Sequence, residues 1–339
     1  MGITLKEIAE LAGVHKSTVD KVIHNRPGVS DARRQQIRKL LEEYGYEANP
    51  VGKALNYQKK NMKVAVVVPK VDAVRWIKKG IELVQQDFNS FNMQVEYHEC
   101  DITDGAAQAR CLHRLCRENV SGVVLMPIEF PEVAAALREL HKAGIPVVNV
   151  NSELEPDARL CFVGQNIEQS GRVAARMFQL FLPQGGRIAV ISSNFMKAVK
   201  QREHAFVEYL PKIAPELDIA ELTDIHEDAG SAYNSTKALL ARCETLDGLF
   251  VTCGRVADIC RAVRDSAFAG KLTVITYERY PEILELVQAG EIACTIGTEL
   301  REQGRLAMRL LFEYLIYDRA PQKDVYYTTN EILIEEGLS

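Results

Sequence analysis

Lys16, Ser17 and Lys21 share one side of a short segment whose other side carries Val19, Val22 and Ile23. Apolar residues at that spacing predict a helix with a polar outer face. Lysine can donate to guanine O6 and N7, and a serine hydroxyl can donate or accept, so these types suit the edges of base pairs. Such chemistry needs the helix held in a groove, and the preceding residues supply the support. Leu5, Ile8, Ala9 and Ala12 make an apolar face, Thr4 and Glu7 form a capping box, Gly13 stops the helix and Val14 turns inward. Two short helices with a glycine-containing turn are a helix-turn-helix, whose second helix enters the major groove. The blander alternatives are a helical hairpin whose polar face is merely solvated, and lysines that meet phosphates without reading sequence.

The rest of the chain offers no catalytic signature. There is no Gly-x-Gly-x-x-Gly after the first strand-like run, no phosphate-cradling Gly-Lys-Ser/Thr and no Gly-x-Ser-x-Gly elbow, so no enzyme is expected. The eight cysteines include no Cys-x-x-Cys pair, and the histidines give no metal-ligand spacing; no metal and no cofactor are implied. The start at Met1 is not a cationic signal peptide and no apolar run reaches membrane-spanning length, so a cytoplasmic protein without membrane contact is expected.

Charge places the polyanion contact. The chain carries a net charge of -5, yet residues 1–60 hold 11 Lys+Arg against 7 Asp+Glu, while the other 279 residues hold 30 against 39. A small basic head on an acidic body suits DNA, and two heads per site would suit it better. At 339 residues the chain should form two or three domains.

After the second helix, Ser30 caps a third helix from Asp31 to about Tyr44, closed by Gly45. Residues 48–61 read as a linker with a conditional helix: Asn49 is a good N-cap and Pro50 a good first helical residue, but the helix is too short to stand alone. A plain tether is the alternative. From residue 62 onward, Val/Ile-rich strand-like runs alternate with helix-like segments, which predicts parallel sheets covered by helices. Two such series suggest two doubly wound lobes with a ligand crevice beyond the strands' carboxyl ends. The expected division is 1–47 for the DNA-binding head, 48–61 for the hinge, and 62–339 for the core. Within the core, one lobe takes about 62–160 with 293–323, and the other about 161–292 with 324–339.

The head Thr4-Leu-Lys-Glu-Ile-Ala-Glu-Leu-Ala-Gly-Val-His-Lys-Ser-Thr-Val, then Arg26-Pro-Gly-Val-Ser, Leu41-Glu-Glu-Tyr-Gly-Tyr, Asn49 and Leu55, closely resembles the lactose/galactose repressor family (LacI/GalR). Val163-Gly-Gln-Asn-Ile-Glu-Gln-Ser-Gly171 and Gln201-Arg202…Phe206 are similar to that family's effector core, itself like periplasmic sugar-binding proteins of type I. The resemblance implies an all-α head on an α/β core and a ligand-controlled repressor of carbohydrate-utilisation genes. It implies a homodimer on double-stranded operator DNA, with a sugar or sugar derivative between the lobes. It assigns base edges to Lys16, Ser17 and Lys21, phosphates to Thr18, Asn25 and Tyr46, and a minor-groove wedge to Leu55, an apolar side chain suited to unstacking a base step. Thr4, His24 and Asn49 complete the expected DNA-facing set. For the effector it points to the loop after the first strand (Lys70–Trp76, with Val74 and Trp76), to Asn151 and Ser152, and to Arg202, Cys253, Glu278 and Thr298.

Arg202 offers a rigid fork of donors, Glu278 acceptors at a strand end, Asn151 both, and Trp76 a face on which a sugar ring can stack. Trp76 packed on its own helix face is the competing reading. The chain departs from the family pattern at His15, Asp20 and His24, where Ser, Ser and Asn are usual, and in its hinge, Ala48-Asn49-Pro50-Val51-Gly52-Lys53-Ala54-Leu55. Cys253 and Thr298 replace residues usual in sugar-binding relatives, leaving a modified sugar or a nucleoside-like corepressor open. The other class of function is a small-molecule-binding protein whose head mediates protein contacts.

Overall fold

The computed structural model describes residues 3, 5–23, 28–44, 62–88, 91, 93–118, 120–193, 197–226 and 229–338, apart from the side chains at 20 and 229. Thr4, His24, Asn25, Gly45, Tyr46, Asn49, Leu55 and the whole expected hinge, 48–61, therefore lie outside the described residues.

The head is three helices, α1 (Leu5–Leu11), α2 (Lys16–Ile23) and α3 (Asp31–Glu43). Ile8, Ala9, Ala12, Val19, Val22 and Ile37 are buried between them, with Val14 packed partly against the same cluster. Gly13 sits at φ +62 in the turn, a left-handed backbone that glycine adopts without strain. Ser30 stands at the N-cap of α3 but makes no side-chain cap bond.

The core holds two six-stranded sheets. One runs β11-β5-β4-β3-β1-β2, and the other β12-β10-β9-β8-β6-β7. Their strands are β1 (Met62–Pro69), β2 (Met93–Cys100), β3 (Gly122–Leu125), β4 (Val147–Val150), β5 (Cys161–Gln165), β6 (Gly186–Ser192), β7 (Leu217–Asp224), β8 (Gly248–Val251), β9 (Thr273–Tyr277), β10 (Cys294–Gly297), β11 (Val325–Thr328) and β12 (Glu331–Leu333). Every pairing is parallel except β10 with β12. The covering helices are α4 (Asp72–Asp87), α5 (Gly105–Arg117), α6 (Pro131–Lys142), α7 (Ile167–Phe181), α8 (Lys197–Ile213), α9 (Ala229–Arg242), α10 (Val256–Arg264), α11 (Pro281–Gln288) and α12 (Leu300–Tyr317). Strands such as β3 and β8 are buried along their whole length, as parallel strands covered on both faces must be.

The chain crosses between sheets after β5, after β10 and between β11 and β12. This moves the expected lobe boundaries. Cys161–Gln165 and Val325–Thr328 pair in the first sheet rather than the second lobe, and Cys294–Gly297 pairs in the second sheet rather than the first. The last two strands, β11 and β12, stand only a few residues apart in the chain yet lie one in each sheet. A short apolar run reads alike in either sheet; only long-range pairing decides which it joins.

Helix α12 returns to the first lobe and crosses α4 with the backbones touching. A Cβ on Gly304 would lie 2.1 Å from the Ile77 carbonyl oxygen, and one on Gly80 would lie 1.9 Å from that of Arg301. Tyr280, just ahead of α11, packs against the cores of both lobes. Arg75 of α4 lies over its ring at 5.3 Å and pairs with Glu282 of α11 at 3.4 Å. Among the described residues no helix is long and apolar enough to cross a membrane.

Candidate nucleic-acid interface and effector cleft

On α2, Lys16, Ser17 and Lys21 are exposed, Thr18 is half-buried, and Val19 and Val22 are 0% and 2% exposed. The helix thus rests on the head's core and turns its lysines to solvent. His15, where the family pattern has Ser, acts on the start of α2. Its Nδ1 accepts from the Ser17 backbone N–H at 3.3 Å and lies 2.9 Å from the Ser17 hydroxyl. The imidazole thereby caps one of the free N–H groups that open α2. It also ties down the Ser17 hydroxyl expected at a base edge.

A cleft of about 720 Å³ opens between the lobes. From the first lobe it is lined by Pro69, Ile102, Thr103, the run Met126–Phe130 and Ser152; from the second by Lys197, Ala198, Asp224, Ile225 and His226. Nearly all follow the carboxyl end of a strand, where an α/β sheet places its ligands. Glu129 and Lys197 face this space from opposite lobes. Burial pushes the Glu129 carboxyl above its ordinary range, and Lys197 pulls it back in part. Lys200, one turn further along α8, bonds both Glu203 and Asp224. Glu129, Lys197, Asp224 and His226 were not singled out from sequence. The signal for them is their place at or after the carboxyl ends of β3, β6 and β7, where such sheets set their ligand contacts.

Of the eight expected effector residues, Ser152 lines this cleft, and its hydroxyl donates to the Pro127 carbonyl at 2.7 Å. Four more meet in a polar network beside the crossovers. Arg202 lays its guanidinium 4.1 Å from the centroid of the Tyr277 ring and donates from Nη2 to Gln165 Oε1 at 2.7 Å. Its Nε is buried with no hydrogen-bond partner in the described structure. Glu278 accepts from the Thr298 hydroxyl at 2.6 Å. Burial pushes the Glu278 carboxyl up from its ordinary range, while Arg202 and that hydroxyl act to lower it. Asn151 donates to Gln303 Oε1 at 3.1 Å. Burial also raises the Tyr277 phenol to about 12, so it stays a neutral O–H.

Asn151 and Glu278 hold φ of +66 and +77 at the ends of β4 and β9. Non-glycine residues rarely adopt that region, and such strain gathers at functional sites. Helix α8 reaches Arg202 into this network because α7 lets it approach: a Cβ on Gly171 would lie 2.5 Å from the Arg202 carbonyl oxygen.

The other three expected residues sit apart from the cleft lining. Val74 is 4% exposed in the first lobe's core. Trp76 packs on the face of α4 with Lys79 4.3 Å from its ring centroid, and its indole N–H is buried without a partner in the described structure. Cys253 is buried in the second lobe's core, its thiol 3.8 Å from the Ile191 carbonyl. All eight cysteines are free, and burial lifts the Cys161, Cys260 and Cys294 thiols to about 12.

Residues 64–318 match the periplasmic binding protein domain family, and residues 4–49 match the lacI family of bacterial regulatory proteins. The sucrose operon repressor of Vibrio alginolyticus is 36% identical over 94 residues, 25% of this chain and 97% of that sequence. The transcriptional regulator TreR of Salmonella typhimurium is 27% identical over 129 residues, 36% of this chain and 38% of that one. Catabolite control protein A of Priestia megaterium is 24% identical over 217 residues, 61% of this chain and 62% of its own length. The chain thus spans less than two thirds of the last two relatives. Among solved structures, a solute binding protein of an ABC transporter from Burkholderia graminis, in complex with D-arabinose, superposes with a TM-score of 0.75 at 20% identity. That match covers 83% of this chain and 97% of that one. A sugar-binding protein from Bacillus halodurans gives 0.73 at 23% identity, covering 81% and 98%. At such identity the likeness speaks for the fold. With a helix-turn-helix ahead of a two-lobed binding-protein core, the chain belongs to the lacI family of bacterial regulatory proteins.

Proposed function

We propose that this chain is a transcriptional repressor whose grip on operator DNA is set by a sugar or sugar derivative held between its lobes. The observation that carries the reading is the pairing of two features in one chain. The head turns Lys16 and Lys21 outward along one side of α2, and the core holds a cleft lined from both lobes, with Glu129, Lys197 and Asp224 among its lining residues. Lys16 and Lys21 donate to guanine edges and Ser17 to a neighbouring base or to His15. Thr18 of α2, with Asn25 and Tyr46, tracks the phosphates, Thr4, His24 and Asn49 complete the DNA-facing set, and Leu55 enters the minor groove. Two heads from a homodimer grip half-sites one helical turn apart.

From the polar network beside the crossovers, Arg202 supplies donors to ligand hydroxyls or to a carboxylate, and Glu278 and Asn151 supply acceptors. Ser152, Lys197 and Glu129 act from the two walls. Closing the lobes on the ligand shifts one against the other and so moves the points from which the hinges leave. A coupling of about 1–3 kcal/mol suffices for such control. Relatives named for sucrose and the arabinose-bound neighbour support a carbohydrate.

The test has two arms. Selection from a random duplex library should enrich an inverted repeat. A thermal-shift screen of sugars, sugar acids and nucleosides should find a sugar-type compound that raises the melting point and alters affinity for that repeat. No enriched duplex, or a stabilising ligand that leaves duplex affinity unchanged, overturns the proposal.

A further inference from the structure

Two buried amides join the expected effector contacts to the places where the chain crosses between lobes. Gln165 ends β5 at the first crossover and is 2% exposed; Gln303 lies in the first turn of α12, just past the second, and is 0% exposed. Neither lines the cleft. Each spends its acceptor on an expected effector residue and its donor on a crossover. Gln165 Oε1 accepts from Arg202 at 2.7 Å, and its Nε2 donates to Asn330 Oδ1 at 2.7 Å. Gln303 Oε1 accepts from Asn151 at 3.1 Å, and its Nε2 donates to the Thr298 carbonyl at 2.6 Å and to Thr328 Oγ1 at 3.2 Å.

Chemistry fixes both orientations. A guanidinium can only donate, so the oxygen of Gln165 must face Arg202; a backbone carbonyl can only accept, so the nitrogen of Gln303 must face Thr298. The crossovers are also bonded to each other. The Thr328 hydroxyl lies 3.3 Å from the carbonyls of Gly164 and Thr298, and the Thr329 N–H donates to the Glu299 carboxylate at 2.7 Å. Glu299 itself holds φ +48, a strained backbone at the second crossover.

We infer that Gln165 and Gln303 are positioning residues that relay the state of the effector cleft to all three crossovers. The inference rests on the reading of Arg202 and Asn151 as effector contacts. A ligand that draws either side chain toward itself must take the amide along or leave a buried amide oxygen unpaired. The second course is costly, so the amide follows and pulls Asn330, or Thr298 and Thr328, with it. Two separate expected effector contacts thus act on one bonded set of crossovers.

The test is amide hydrogen exchange on the full chain, with neither sugar nor DNA present, read at the Thr329 N–H and its neighbours. Arg202→Met should speed exchange there about tenfold in the wild-type background. With Gln165→Met already in place, adding Arg202→Met should change it by less than about twofold. Asn151→Ala should behave likewise at residues 298–304, with and without Gln303→Met. Should Gln165→Met fail to fold, Asn330→Ala cuts the same relay from its other end and should abolish the Arg202 effect. An equal Arg202 effect in both backgrounds overturns the inference, as does no effect in wild type. So does faster exchange spread evenly through β1 and β8, which marks a merely structural role. Because no ligand is used, failure of the repressor reading would show in the duplex selection and leave this result standing.

Discussion

The head and the core bury their residues to opposite ends. In the head, six buried side chains among the described residues serve as a platform, and the residues proposed to read DNA stay outside on α2. In the core, polar groups are drawn inward: Gln165, Thr298 and Gln303 are buried, and Arg202 and Glu278 bond within the same network. A surface reader needs only a firm footing. An interior switch needs every polar group matched, because an unmatched one costs about 1–3 kcal/mol.

Selective damage to each region tests this contrast, and the largest effect belongs to the core. Gly304→Val forces a side chain into the Ile77 carbonyl and should lower core stability by about 3 kcal/mol or more, read by urea unfolding. The head's own transition should not move. If the core tolerates valine there, the close crossing of α4 and α12 is not what holds it.

Next in size, Ile37→Ala empties the centre of the head and should cost it about 2–4 kcal/mol. Calorimetry should show the head melting earlier and the core unmoved. A common downward shift would mean that head and core are a single cooperative unit.

The smallest effect concerns charge. Burial raises the Glu278 carboxyl, so the folded protein favours its protonated form. That contribution is full below the ordinary glutamate value of 4.5 and is lost as pH rises through the folded value. Glu278→Gln mimics the protonated group. Wild type and variant should therefore melt alike in acid, and the variant should gain as pH rises. A gap that stays constant with pH would place Glu278 in water-like surroundings instead.

The same contrast explains what the sequence could tell. Periodicity is a local signal, so α1, α2 and α3 and the outward side of α2 were legible from residue spacing. The alternation of strands and helices in the core was legible too. Which sheet Cys161–Gln165 or Cys294–Gly297 joins was not, because the choice of partner, β4 and β11 for the one and β9 and β12 for the other, leaves no mark in the strand's own residues. For the same reason Arg202, Asn151, Glu278 and Thr298 were found as separate positions, whereas Gln165 and Gln303, which knit them together, were not. A buried glutamine reads in sequence like an exposed one. His15 shows the reverse lesson: a departure from the usual serine is answered locally, by an imidazole that caps α2.

Affinity of the intact chain for its selected duplex, followed by fluorescence anisotropy across a salt series, tests the central claim most directly. Phosphate contacts release counterions, so the logarithm of the binding constant should fall steeply and linearly with the logarithm of salt concentration. Lys21→Ala should weaken binding by about 1–3 kcal/mol at every salt concentration while the core's melting point stays put. Affinity that is flat with salt and indifferent to Lys21 would contradict a DNA-reading head.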